Sequence, residues 1–209
     1  NNKNGSFTNI IADAIYHQSY NSMGVDAADM NNDGLPDIAV LDMMPETNYR
    51  KKTMFAGSNP ERYEMEQNFG GYQPQFTRNM LQLHNGTREV NNAKEPFFSE
   101  IAQLSGISET DWSWSVLMAD FDNDGWKDVH ITNGIAKDLT NNDFLFFRSS
   151  RGEAAMAEGE MAPNTEDKNS VTSLRKDLDA YGSIKINNYF YHNNGNLTFS
   201  NSTEAAGLA

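Results

Sequence analysis

The sequence predicts an all-β fold, a set of four-stranded antiparallel meanders with Asp-rich hairpin loops and a helical insertion, and three observations carry that prediction. DMNNDGLPDIAVLDM from Asp29 aligns with DFDNDGWKDVHITNG from Asp120, and the same offset of 91 residues superposes Gly34 on Gly125 and Asp37 on Asp128. FSNSTEAAGL from Phe199 matches FSEIAQLSGI from Phe98, and each follows an Asn-Gly pair, Asn194-Gly195 and Asn85-Gly86. The apolar runs between these marks are strand-sized and rich in β-branched and aromatic residues. Self-similarity of this kind signals one supersecondary unit repeated along the chain.

Each unit reads as a strand ending in Asn-Gly, a strand opening at Phe, a small-residue linker, a strand, an Asp-rich turn and another strand. Asn-Gly after an apolar run, as in MLQLHNG from Met80 and YFYHNNG from Tyr189, predicts hairpins because both residues tolerate positive φ. On this pattern residues 1–58 form the first unit with its loop at 29–37, and residues 72–136 the second with its loop at 120–128. Residues 186–209 begin a third. A short helical connection is expected over 59–71, where Asn59 is a cap, Pro60 suits the first helical position and Gly70-Gly71 stops the helix. A helical insertion is expected over 137–185. In it Val171, Leu174, Leu178 and Tyr181 recur at helical spacing before Gly182, an amphipathic stripe expected to pack on the strands.

The Asp-rich loops hold the chemistry. Asp120, Asp122 and Asp124 alternate, Gly125 follows and Asp128 closes the set; the first copy offers Asp29, Asn31, Asp33, Gly34 and Asp37. Hard Ca2+ takes six to eight oxygens, and short oxygen-bearing side chains at positions 1, 3 and 5 converge in one concave loop. A backbone carbonyl at position 7 (Leu35, Trp126) and the carboxylate at position 9 (Asp37, Asp128) would complete each shell. An EF-hand is excluded, because position 12 is Val40 or Ile131 instead of Glu and strands follow the loops. Magnesium prefers stricter octahedral geometry, and transition metals favour His or Cys, which the loops lack. Two Ca2+ ions are expected, as staples of the hairpins.

Composition agrees with cations as companions. The chain has 16 Lys and Arg against 29 Asp and Glu, a formal net charge of −13, which opposes nucleic acid and anionic membranes as partners. No apolar run approaches the ~20 residues that span a bilayer, so no direct membrane insertion of this chain is expected. With no cysteine, disulfides and thiolate metal sites are excluded. The chain opens on Asn1 with no basic or apolar leader behind it, and is expected to be processed or a piece of a longer protein.

No catalytic motif stands out. His17, His84, His130 and His192 show no ligand spacing and read as strand or turn residues, with His130 placed on an exposed strand face. Trp112, Trp114 and Val116 alternate onto one strand face and read as core. Asp138, Asp143 and Glu100 are the carboxylates that an acid/base enzyme would draw on, but none forms a recognisable pair.

The segments YQPQFTRNMLQLHNG from Tyr72, DWSWSVLMADFDNDGWKDVHITNGI from Asp111 and NNDFLFF from Asn141 resemble the FG-GAP or VCBS repeat proteins of Bacteroidota, relatives of the integrin α-subunit propeller and of the cartilage acidic protein family. The resemblance implies β-propeller blades with calcium in each DxDxDGxxD hairpin. The ligands carry over to Asp29, Asn31, Asp33, Leu35, Asp37, Asp120, Asp122, Asp124, Trp126 and Asp128. Many such proteins are exported and surface-attached, with a C-terminal ASPIC/UnbV module that is missing here. Asn31 stands where most repeats have Asp, which lowers the charge of the first loop. Two full repeats and a start fall short of a closed propeller, so the chain is expected to be part of a larger one. The implied function is a non-catalytic extracellular or outer-membrane surface module that binds protein or glycan. A polysaccharide lyase or hydrolase on a calcium-rich propeller is the alternative, as is a structural subunit of an outer-membrane complex.

Overall fold

The computed structural model describes residues 1–54, 60–68, 70, 72–135, 137–138, 140–146, 149–150, 175–176, 179 and 183–208. In chain order the elements are α1 (Ile11–Ala14), β1 (Gln18–Ser19), β2 (Val25–Ala28), β3 (Asp37–Val40), β4 (Met43–Met44), α2 (Asn48–Met54), α3 (Pro60–Asn68) and β5 (Gln75–Phe76). There follow β6 (Met80–Val90), β7 (Ala93–Glu100), α4 (Ala102–Ser105), β8 (Asp111–Ala119), β9 (Asp128–Asn133), β10 (Tyr189–Asn193) and β11 (Phe199–Asn201). Strands dominate and the helices are short, so the described fold is all-β. No helix among the described residues is long and apolar enough to cross a membrane.

Two compact units divide the chain. The first comprises Asn1–Glu46, Asn59–Gly134 and Asn187–Ala209, and the second Thr47–Ser58 and Ile135–Ile186. In the first unit β2-β3-β6-β7 make a four-stranded sheet, β11-β10-β9-β8 with β4 at the edge make a five-stranded one, and β1 pairs with β5 in parallel. The two larger sheets are antiparallel throughout.

These sheets are phased differently from the sequence repeat. Each takes the strand, Asp loop and strand of one unit, then adds the Asn-Gly pair of strands from the next. Register decides this: Val40↔Met80 and Ile38↔Gln82 join β3 to β6, as Ile131↔Tyr189 and Val129↔Tyr191 join β9 to β10. That register creates a second equivalence, at an offset of 109, in which Leu83 corresponds to His192 and His84 to Asn193.

Two sequence expectations are corrected here. Asn85-Gly86 is no hairpin turn: β6 runs through it, with a register shift between His84 and Thr87, and Gly86 takes φ 82°. The glycine absorbs a bulge, and the chain reverses at Asn91-Asn92, whose φ values of 50° and 64° suit a type I′ turn. Asn194-Gly195 does lie in the turn between β10 and β11. The second correction concerns the tryptophans. β8 has a bulge between Ser113 and Ser115, so burial switches from Asp111 and Ser113 to Val116 and Met118. Trp114 is left 48% exposed, with its indole N–H donating to Gly134 O at 2.6 Å.

The core lies between the two sheets. Met30, Leu41, Leu81 and Ile107 meet Val116, Met118, Val129, Ile131 and Tyr191, and full burial of a large apolar side chain contributes about 1.5–3 kcal/mol. Asp26 on β2, the edge strand of the four-stranded sheet, accepts the Met118 amide of β8 at 2.8 Å, which ties the two sheets together. Gly24 allows the approach, since a Cβ there would sit 2.5 Å from Trp114 O.

In the second unit Arg50 of α2 pairs with Asp138 at 2.9 Å, and Phe144 is buried in a helical stretch over 142–146. Arg175, Lys176 and Asp179 are helical and exposed. The stripe of Val171, Leu174, Leu178 and Tyr181 lies outside the described residues.

Candidate metal centre

Each Asp-rich loop connects the two strands of a hairpin, Asp29 to Pro36 between β2 and β3 and Asp120 to Lys127 between β8 and β9. Both bend by the same device. Asn32 and Asn123 take φ of 59° and 62°, and Gly34 and Gly125 take 84° and 95°, conformations that Asn and Gly adopt at low cost.

Carboxylates then organise the bent backbone. Asp29 accepts the amides of Asp33 (3.1 Å) and Gly34 (2.8 Å), while Asp33 accepts that of Leu35 (2.8 Å) and Asn31 Oδ1 that of Asp33 (3.2 Å). The second loop repeats each contact: Asp120 accepts from Asp124 (3.1 Å) and Gly125 (3.0 Å), Asp124 from Trp126 (2.8 Å), and Asp122 from Asp124 (3.1 Å). At position 9 both carboxylates are fully buried. Asp37 accepts from Met30 (3.0 Å) and His84 (2.8 Å), and Asp128 from Phe121 (3.3 Å) and Asn193 (2.9 Å). Burial pushes the Asp37 carboxyl above the ordinary carboxylate range, against those two amide hydrogen bonds, and Asp33 and Asp29 add repulsion in the same direction as burial.

The loops differ in what meets their position-3 side chain. In the first, Asn31 Nδ2 donates to Asp33 Oδ2 at 2.9 Å. In the second, position 3 is Asp122, and an imidazole arrives from β10: His192 Nδ1 lies 3.2 Å from Asp122 Oδ2 and 3.3 Å from Asp128 Oδ1. Asp122, Asp124 and His192 bring ligand atoms within 4.8 Å of one another, the one such His/Asp/Glu group among the described residues. The loops also touch. Asn32 Nδ2 donates to Gly125 O at 3.1 Å, and the buried Asn193 side chain donates to both Met30 O and Lys127 O at 2.9 Å.

Of the ten predicted ligand positions, the structure brings Asp122 and Asp124 into one cluster. Asp29, Asp120, Asp37 and Asp128 hold backbone amides, with an oxygen lone pair to spare on each atom that accepts one hydrogen bond. Leu35 and Trp126 supply amide donors, and the Trp126 indole packs at Gly195, where a Cβ would lie 3.1 Å from the ring. The loop donors are carboxylate and amide oxygens, a set that fits a hard cation. His192 is a strand residue, as the sequence suggests, and its side chain meets partners on the neighbouring hairpin. Its signal in the sequence is the 109-residue offset that aligns YFYHNNG from Tyr189 with MLQLHNG from Met80 and sets His192 opposite Leu83.

Of the three carboxylates weighed for acid/base work, Asp143 is exposed and the other two are engaged in ion pairs. Glu100 pairs with Arg78 at 2.6 Å and accepts the Ala102 amide at 2.7 Å, and Asp138 is held by Arg50. His130 lies half-buried, its Nε2 unpartnered among the described residues, with its ring edge-on to Phe121. No curated protein and no solved structure matches the chain. The family model of the FG-GAP-like repeat matches residues 1–40, a stretch that holds the whole first Asp loop, and over that stretch the chain is similar to a repeat of the β-propeller type.

Proposed function

We propose that the chain is a calcium-binding module of the β-propeller type that binds protein or glycan at an extracellular or outer-membrane surface, without catalysis, each loop taking one Ca2+. The observation that carries this reading is the doubled hydrogen-bond frame, in which loops 91 residues apart preorganise the same oxygens, one of them inside the FG-GAP-like match over residues 1–40. A cation that binds the folded state alone stabilises it by about 2.7 kcal/mol at a hundredfold excess over Kd. Scanning calorimetry with Ca2+ and with chelator tests this: the melting temperature falls on chelation, and an unchanged value removes calcium from the proposal.

Two surfaces favour a ligand and a stacked neighbour. A hollow of about 530 Å³ lined by Glu46, Asn187, Tyr189, Asn201, Thr203 and Glu204 offers hydrogen-bonding groups beside an aromatic ring, the chemistry that meets a sugar. Leu117 on β8 and Phe121 just after it are exposed, Phe121 with its ring edge-on to Phe190, apolar side chains suited to contact with a further blade. A glycan array probed with and without Ca2+ tests the first point. Calcium-dependent retention is expected, and retention of no glycan leaves protein as the partner class to test by cross-linking.

A further inference from the structure

We infer that His192 makes the second loop a mixed nitrogen-oxygen site for a divalent transition ion such as Zn2+, which competes there with calcium, while the first loop accepts hard cations alone. This rests on reading the loops as cation sites. The donors are Asp122, Asp124 and His192, whose ligand atoms lie within 4.8 Å of one another. Carboxylate oxygens serve calcium and zinc alike, but the imidazole nitrogen suits zinc and its neighbours and not calcium, which binds through oxygen.

The comparison between loops singles out this pair. Among the side chains at positions 1, 3, 5 and 9, the loops differ only at position 3, Asn31 against Asp122. On the adjoining strand the residue in register changes from Leu83 to His192. The carboxylate and the imidazole therefore appear together in one loop and are both missing from the other, and in the second loop they stand 3.2 Å apart. An ion has access, because a hollow of about 420 Å³ lined by Asp122, Phe190, His192, Ser202, Ala205 and Ala206 opens on the cluster.

The experiment is calorimetric titration of the chelator-treated chain with Zn2+ and, separately, with Ca2+, for wild type, His192→Leu and His192→Asn. One tight Zn2+ site is expected in the wild type, weakened about tenfold or more in either folded variant, with Ca2+ binding retained. The imidazole nitrogen resonances of His192 shift on adding Zn2+. Zn2+ affinity equal in wild type and in a folded His192 variant, or His192 resonances that do not move, overturns the inference. Failure of this inference is separable from failure of the calcium reading: loss of Zn2+ specificity with Ca2+ still bound overturns the first, and a chain that takes Zn2+ through His192 but no Ca2+ overturns the second.

Discussion

The two Asp loops share a backbone and differ in how their charge is met. The first closes on itself, with the Asn31 amide bridging to Asp33 at 2.9 Å. The second keeps a fourth carboxylate at Asp122 and meets it with His192 from β10. Repetition thus preserved the hydrogen-bond frame that shapes the hairpin, while position 3 and the neighbouring strand residue diverged. On the proposed reading of the loops as cation sites, shape and selectivity would reside in different residues.

The largest effects should test the shared frame. Asp37→Ala and Asp128→Ala each leave two buried backbone amides without acceptors, a loss of about 3 kcal/mol or more. In urea denaturation Asp128→Ala should cost at least as much as Asp37→Ala, since it also removes the carboxylate beside His192, and a clearly smaller loss would mean that the frames carry different loads. Next comes the pair in register beside the loops. Asn193→Ala breaks the ties to Met30 O and Lys127 O and should cost about 2 kcal/mol. His84→Leu should be neutral or stabilising, because both ring nitrogens are buried without a partner among the described residues and their removal relieves that cost. Equal losses would break the contrast.

Smaller effects sharpen the difference in charge. In Ca2+, Asp124→Ala should lower the melting temperature more than Asn31→Ala, by about 3 °C, since calcium affinity follows the count of charged ligands. A reversed order would make the first loop the tighter site. The mildest contrast is with pH. Burial, and for Tyr189 the hydrogen bond to Glu46, hold the Tyr189 and Tyr191 phenols above their ordinary value of 10.0. The unfolded tyrosines ionise first, so the stability they contribute is complete below that value and declines as pH rises through the raised one. Met80 and Gln82 occupy the corresponding register positions on β6 and do not titrate there. Alkaline denaturation of Tyr189→Phe/Tyr191→Phe should show a flatter loss above pH 10.0 than wild type, and an identical profile would place the alkaline sensitivity elsewhere.

The sequence by itself determined the all-β class and the equivalence of Asp29 to Asp37 with Asp120 to Asp128, because local chemistry decides both. Alternating short carboxylates with a glycine at position 6 bend the chain locally, and the β-branched runs on either side make that bend a hairpin. Tertiary structure decided the phase of the sheets, the bulges at Asn85-Gly86 and Ser113 to Ser115, and the presence of His192 in the second site. Each of these depends on which strands pair and in what register. Asn-Gly is compatible with a turn or a bulge until the length of the partner strand selects one, as β7 does by continuing four residue pairs beyond the bulge, from Thr87↔Pro96 to Val90↔Ala93. His192 reaches Asp122 through the pairing of β9 with β10 across a long connection, and side-chain spacing along one strand carries no record of a neighbour that hydrogen bonding between strands supplies.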